Sequence, residues 1–128
     1  MANQMPVILI ADEDPTLREL VRSATSFEGY AVVEAANGGE AFRAVRDHRP
    51  AIVLVDVRLP LVNGLTVARA IKNDSKLRST TVIVLTGADR PYEVKAGLQA
   101  GADYYVAKPG APVELLAAIE RVFEQVAA

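Results

Sequence analysis

The sequence contains no cysteine, which excludes disulfides and thiolate-held metals. It has one histidine, His48, so imidazoles cannot pair around a metal. No apolar run reaches the roughly 18 residues a membrane-spanning helix needs. Met1 to Met5 carries no positive charge ahead of its apolar stretch, unlike a secretory signal. Neither sign of charge is concentrated. The formal net charge is −2, and acids and bases alternate along the chain. That leaves neither a basic patch for nucleic acid nor an acidic disordered tail. The expectation is a soluble, cytoplasmic protein with no direct contact to nucleic acid or membrane. What is present is 128 residues, about half of them hydrophobic, enough for one domain with its own core. The domain is expected to fill 1–128, with its core at about 7–126.

Five strand-sized apolar runs stand out: Val7–Ala11, Tyr30–Ala35, Ala51–Asp56, Thr81–Thr86 and Asp103–Lys108. VILIA, IVLV and VIVL are continuous rather than alternating, as in parallel strands covered on both faces. Helix-sized segments lie between them. Asp14-Pro15 reads as an N-cap with proline at the first helical position. Leu17, Leu20, Val21 and Ala24 follow on one face, and Gly29 stops the helix. Further helices are expected at Glu40–Asp47, Gly64–Asn73, Pro91–Ala100 and Pro112–Val126. Asn63-Gly64 reads as a turn admitting positive φ. Gly97 lies inside the fourth helix and weakens its propensity. Strand and helix alternate five times, which argues for a parallel sheet with helices on both faces.

In such a sheet, ligands bind beyond the carboxyl ends of the strands, where strand order reverses. Strand 1 ends in Asp12-Glu13-Asp14, strand 3 in Asp56, strand 4 in Thr86-Gly87 and strand 5 in Lys108-Pro109. Strand 2 ends in Ala35-Ala36, with nothing ionisable. An order 2-1-3-4-5 would gather Asp12, Glu13 and Asp56, flanked by Thr86 and Lys108. Three close carboxylates repel unless a cation joins them. Hard oxygen donors favour Mg²⁺, which also prefers phosphate oxygens. Taken singly, each residue has an ordinary reading: Asp14 as a helix cap, Lys108 as a solvated side chain, Thr86 as a strand former. The joint placement points to a site.

The stretches ILIADEDPTLREL, IVLVDVRLPLVNGL, VIVLTGAD and GADYYVAKP resemble, in order and spacing, the receiver domains of bacterial two-component response regulators. The likeness runs from about Val7 to Val126. It implies a doubly wound, flavodoxin-like α/β fold, with five parallel strands ordered 2-1-3-4-5 and five helices. By resemblance, Asp56 is the phosphoacceptor, and Glu13 and Asp12 bind Mg²⁺, Asp12 largely through water. The backbone carbonyl of Arg58 is the further protein ligand. Thr86 hydrogen-bonds the phosphoryl group, Lys108 contacts it as a positive charge, and Tyr105 changes rotamer with Thr86. The family likeness also implies a cis Lys108–Pro109 bond. The partner implied is a histidine kinase or histidine phosphotransfer protein, and the output face is helix 4, strand 5 and helix 5. No turnover of an external substrate is expected.

The sequence departs from the family pattern in places. Glu13 stands where Asp is more frequent, and Gly110 where many members carry Phe. Arg58 and Ala88 follow Asp56 and Thr86 by two residues, at variable positions flanking the route of attacking water. Arg58 could cover the phosphoryl group, pair with Glu13, or be a solvated loop residue. His48 is expected in the Asp47–Pro50 loop, exposed, and Tyr30 and Tyr104 in packing roles. Asp103, Tyr104 and Arg121 could support a weak dimer, with a monomer as the alternative. A dehalogenase-type phosphatase would need a second Asp two residues after Asp56, where Arg58 stands. A flavin site would meet repulsion from Asp12-Glu13-Asp14. A pseudo-receiver would keep the fold and act only through protein contacts. The 128 residues hold no segment recognisable as a DNA-binding, cyclase or kinase unit. The chain is therefore read either as a stand-alone receiver or as one excised from a larger regulator.

Overall fold

A computed structural model describes residues 6–25, 29–87, 91–108, 117 and 120–125. The elements run β1 (Val7–Ala11), α1 (Pro15–Thr25), β2 (Ala31–Ala35), α2 (Gly38–His48), β3 (Ile52–Asp56), α3 (Gly64–Asn73), β4 (Thr81–Gly87), α4 (Pro91–Gln99) and β5 (Tyr104–Lys108). Residues 120–125 are helical and are called α5 below. The strands form one sheet ordered β2-β1-β3-β4-β5, with every pairing parallel. Fold class and strand order match the expectation.

The three continuous apolar runs are the three inner strands. From Ile8 to Ala11, Ile52 to Val55 and Val82 to Leu85, every residue is essentially inaccessible. The edge strands differ. β2 is only half-buried over most of its length and carries Glu34, and β5 has just Val106 buried. Alternate residues separate the core into two layers. Leu9, Val53, Val55, Val82 and Val84 pack with Val45 of α2 and Val67 and Ile71 of α3. Ile8, Ile10, Leu54, Ile83 and Leu85 pack with Leu17 and Val21 of α1 and with Val122 and Phe123 of α5. Tyr30 meets Phe123 with ring centroids 6.1 Å apart, and Tyr104 packs on the same layer. Both therefore have the packing role expected of them.

Gly97 is explained by contact rather than by helix propensity. A Cβ there would stand 2.7 Å from Val84 Cγ2, so glycine lets α4 approach β4. Gly101, with φ +99°, follows α4 in the left-handed region, as a helix terminator should.

Some expectations need correction. α2 begins at Gly38, before Glu40. The Asn37 side chain accepts from the Glu40 amide at 2.8 Å, and Glu40 reaches back to the Ala36 amide at 2.8 Å. This reciprocal cap starts the helix despite two glycines in its first turn. α2 also ends later, so His48 is its exposed last residue rather than part of a loop. Gly64 has no positive φ. That conformation falls on Leu61, at +68°, and Asn63 caps α3 by accepting from the Leu65 amide. The Lys108–Pro109 bond, Ala88, Gly110 and the start of the fifth helix lie outside the described residues.

Candidate functional site at the carboxyl edge of the sheet

Parallel register brings the strand ends to one edge. The β3–β4 register sets Asp56 against Leu85, and the Val57 amide then donates to the Leu85 carbonyl at 3.0 Å. The β4–β5 register sets Gly87 against Lys108. Asp12 follows β1, with its amide donating to the Ala35 carbonyl at 3.0 Å. Gly64 lets the start of α3 crowd this edge, because a Cβ there would overlap the carbonyl oxygen of Asp56.

Lys108 is the hub. Its ammonium donates to Asp12 Oδ2 at 2.5 Å and to Asp56 Oδ2 at 2.9 Å. The other oxygen of each carboxylate is held by backbone: Asp12 Oδ1 accepts from the Asp14 amide at 2.9 Å, and Asp56 Oδ1 from the Arg58 amide at 3.0 Å. Asp12 is 1% exposed. Burial pushes its carboxyl above the usual range, against the lowering effect of Lys108. Burial would pull Lys108 down, but its bonds to Asp12 and Asp56 outweigh that and hold its pKa above the ordinary lysine value. Lys108 therefore stays charged between the two carboxylates.

Asp12, Asp56 and Lys108 are thus brought together. Glu13, by contrast, is exposed, and no three acidic or histidine side chains form a metal cage among the described residues. Two carboxylates still converge on a single cation, with a third on the adjacent residue. This hard-oxygen donor set fits Mg²⁺. Thr86 Oγ1 is buried and finds no hydrogen-bond partner among the described residues. An unmet buried hydroxyl costs free energy, and one placed at the strand edge suits an oxygen-rich ligand. Val84 lies opposite Tyr105 and Thr86 opposite Ala107, so Thr86 and Tyr105 are diagonal neighbours on one face. Tyr105 is 47% exposed.

Two residues that brace the site escaped the sequence reading. Arg18, on α1, donates to the carbonyls of Asp12 (2.7 Å) and Glu13 (3.1 Å) while paired with Glu34, so it braces the acidic turn. Glu93, on α4, is 4% exposed and is the partner of Arg58 at 3.0 Å. Arg58 therefore pairs with Glu93 and not with Glu13. Glu93 is a polar residue in a helix's first turn, which apolar periodicity does not single out. Asp103, proposed for a dimer face, is engaged internally: it accepts from Lys72 at 2.9 Å and from the Val82 amide at 2.8 Å. Tyr104 is part-buried in the core, and Arg121 is exposed.

Comparison with known proteins agrees with this arrangement. The family model described as response regulator receiver domain matches residues 8–120. The response regulator MprA of Mycobacterium sp. (strain KMS) is 45% identical over 118 residues, covering 88% of this chain and 49% of that protein. The DNA-binding response regulator MtrA of Mycolicibacterium smegmatis is 38% identical over 112 residues, covering 88% and 48%. The chain spans about half the length of the curated relatives it matches. Among solved structures, the chemotaxis response regulator CheY4 of Vibrio cholerae superposes with a TM-score of 0.80 at 28% identity, covering 93% of this chain and 99% of that one.

Proposed function

The chain belongs to the response regulator receiver domain family, and from that premise we propose that it is a phosphoacceptor switch in which Asp56 takes a phosphoryl group from a phosphohistidine. Receiver domains are signalling proteins rather than turnover enzymes. The donor here is a histidine kinase or histidine phosphotransfer protein, and the setting is cytoplasmic. In keeping with this, no helix among the described residues is long and apolar enough to cross a membrane. The observation that carries the reading is the binding of Asp56 to the Lys108 ammonium, with the buried Thr86 hydroxyl, on the strand paired with that of Lys108, finding no hydrogen-bond partner among the described residues.

The reaction breaks the phosphorus–nitrogen bond of the donor and joins phosphorus to a carboxylate oxygen of Asp56. The imidazole keeps the bonding electron pair and takes up a proton. Such a transfer needs an aligned nucleophile and neutralised phosphoryl oxygens, with little covalent help. The Arg58 amide orients the Asp56 carboxylate through Oδ1. Lys108 already lies against Oδ2 and follows the charge onto the phosphoryl oxygens. Asp12, Glu13, Asp56 and the Arg58 carbonyl would hold Mg²⁺, which when bound supplies further positive charge at those oxygens. Thr86 gains the hydrogen-bond acceptor it lacks among the described residues, and its movement frees space for Tyr105 on the same face. The surface of α4, β5 and α5 changes as a result.

Incubation with acetyl phosphate and Mg²⁺, followed by intact mass, tests the reading. The parent gains one phosphoryl group, chelation of the metal suppresses the gain, and Asp56→Asn does not show it. A folded parent that stays unmodified would instead be a pseudo-receiver. For the coupling, Thr86→Ala is expected to take up phosphate yet lose the phosphorylation-dependent change in Tyr105. An unaltered Tyr105 response in that variant would refute the coupling.

A further inference from the structure

Glu93 is a carboxylate 4% exposed on the first turn of α4, and both of its oxygens are spoken for. Oε1 accepts from the Gly87 amide at 2.7 Å, and Oε2 from Arg58 Nε at 3.0 Å. Gly87 directly follows Thr86, and Arg58 lies two residues after Asp56. The Val57 amide bonds the Leu85 carbonyl at 3.0 Å, so Arg58 and Gly87 leave the sheet from neighbouring strands. The Glu93 side chain therefore ties together the two chain segments that leave Asp56 and Thr86.

A carboxylate is rarely buried for packing alone. It remains charged inside only where partners replace its lost hydration. A helix cap would account for the bond to Gly87 and for the favourable position near the α4 N-terminus. It does not account for Arg58, whose side chain is 49% exposed and belongs to another loop. The guanidinium has a rival anion available. Once Asp56 carries a phosphoryl group, a dianion appears two residues from Arg58. Meanwhile a movement of the Thr86 backbone toward that group would carry the adjoining Gly87 amide with it. Both contacts of Glu93 therefore belong to the unphosphorylated arrangement and oppose leaving it.

We propose that Glu93 is a positioning residue for the phosphoacceptor site, holding Arg58 and the Gly87 amide in the unphosphorylated arrangement so that acquiring a phosphoryl group requires breaking this bridge. The proposal rests on the phosphoacceptor reading of Asp56. By linkage, a contact present in one state only shifts the equilibrium by its own free energy. Weakening the bridge stabilises the phosphorylated state relative to the other.

The test uses the full chain with Mg²⁺ and beryllofluoride, a non-hydrolysable mimic of the acyl phosphate, titrated by calorimetry. Glu93→Gln keeps an acceptor for Gly87 and discards the charge pair. Arg58→Gln discards the same pair from the exposed side, where folding is not in question. Glu93→Gln is expected to bind the mimic about two- to fivefold more tightly than the parent, the size of one charge pair of this exposure. Arg58→Gln loses the bridge and also the guanidinium released toward the mimic, so it is expected to bind less tightly than Glu93→Gln. Adding Glu93→Gln to Arg58→Gln is expected to change little further, because Glu93 acts through Arg58. Glu93→Asp, too short to span both partners, is expected to behave like Glu93→Gln. A purely structural role predicts unchanged or weaker binding in Glu93→Gln, and that result overturns the proposal. A full gain from Glu93→Gln in the Arg58→Gln background overturns it too, since it places the two residues in separate roles. If the parent itself binds no beryllofluoride and takes no phosphate, the phosphoacceptor reading fails first. If the parent does both and the variants match it, only the bridge fails.

Discussion

At the scale of single residues, the site sets one ammonium against two carboxylates. Lys108 satisfies two carboxylates that would otherwise repel. An ammonium and a divalent cation are then rivals for the same oxygens. Lys108→Met is expected to bind Mg²⁺ several-fold more tightly by calorimetry, while phosphorylation by acetyl phosphate slows at least about tenfold for want of the positive charge. Weaker Mg²⁺ binding in this variant would show that Lys108 organises the carboxylates rather than competing for them. These residues were legible in the sequence because their chemistry concentrates at strand ends, and strand ends can be found from apolar runs alone. Glu93 and Arg18 were not. Each is a charged residue on a helix, as most surface residues are, and its significance lies in partners from other elements: Arg58 and Gly87 for the one, Glu34 and the Asp12–Glu13 carbonyls for the other.

At the scale of elements, the edge strand β2 is fastened to α1 by charge. Glu34 accepts from both Arg18 and Arg22. Arg22 chiefly, with Arg18 adding to it, holds the Glu34 carboxyl below its ordinary value despite partial burial. A carboxylate whose folded pKa is depressed adds stability above its unfolded value, near 4.5. That stability fades as the pH falls through the lower folded value. Glu34→Gln is therefore expected to lower the urea midpoint at pH 7, by about 1 kcal/mol in stability, and to leave a smaller gap from the parent at pH 3. An equal gap at both pH values would assign the effect to packing instead. α4 makes the second case. Propensity alone says Gly97→Ala should gain about 1 kcal/mol, but the new methyl meets Val84 Cγ2 at 2.7 Å. A net loss of about 1–3 kcal/mol is expected, recovered in part by Val84→Ala in the same chain. Stabilisation by Gly97→Ala would mean that α4 packs less closely than the structure shows. Gly97 also illustrates what local reading cannot see. Inside a helix it looks like a defect, and only the neighbouring strand makes it a requirement. The same holds at Gly64, where closeness to the Asp56 carbonyl rather than a positive φ selects glycine.

At the scale of the whole molecule, topology makes the site. Asp12, Asp56 and Lys108 lie up to 96 positions apart in sequence. They meet because β1, β3, β4 and β5 run parallel and end at one edge. The inner strands advertise themselves as unbroken apolar runs, while the strand order that gathers the site is implied by the family resemblance. Helix boundaries were less legible, since α2 is set by the Asn37–Glu40 cap rather than by its apolar face. The family likeness and the geometry also divide the labour: the first assigns roles to residues, and the second shows which of them touch. The central claim is that the carboxylate of Asp56 is the atom group that takes the phosphoryl. The most direct measurement is to phosphorylate the chain with acetyl phosphate and Mg²⁺, reduce the product with borohydride, and map the peptides by mass. An acyl phosphate on Asp56 is converted to homoserine, so the account predicts homoserine at position 56 and aspartate retained at Asp12 and Asp14. Homoserine at either of those positions, or none anywhere in a chain that has gained a phosphoryl group, would contradict it.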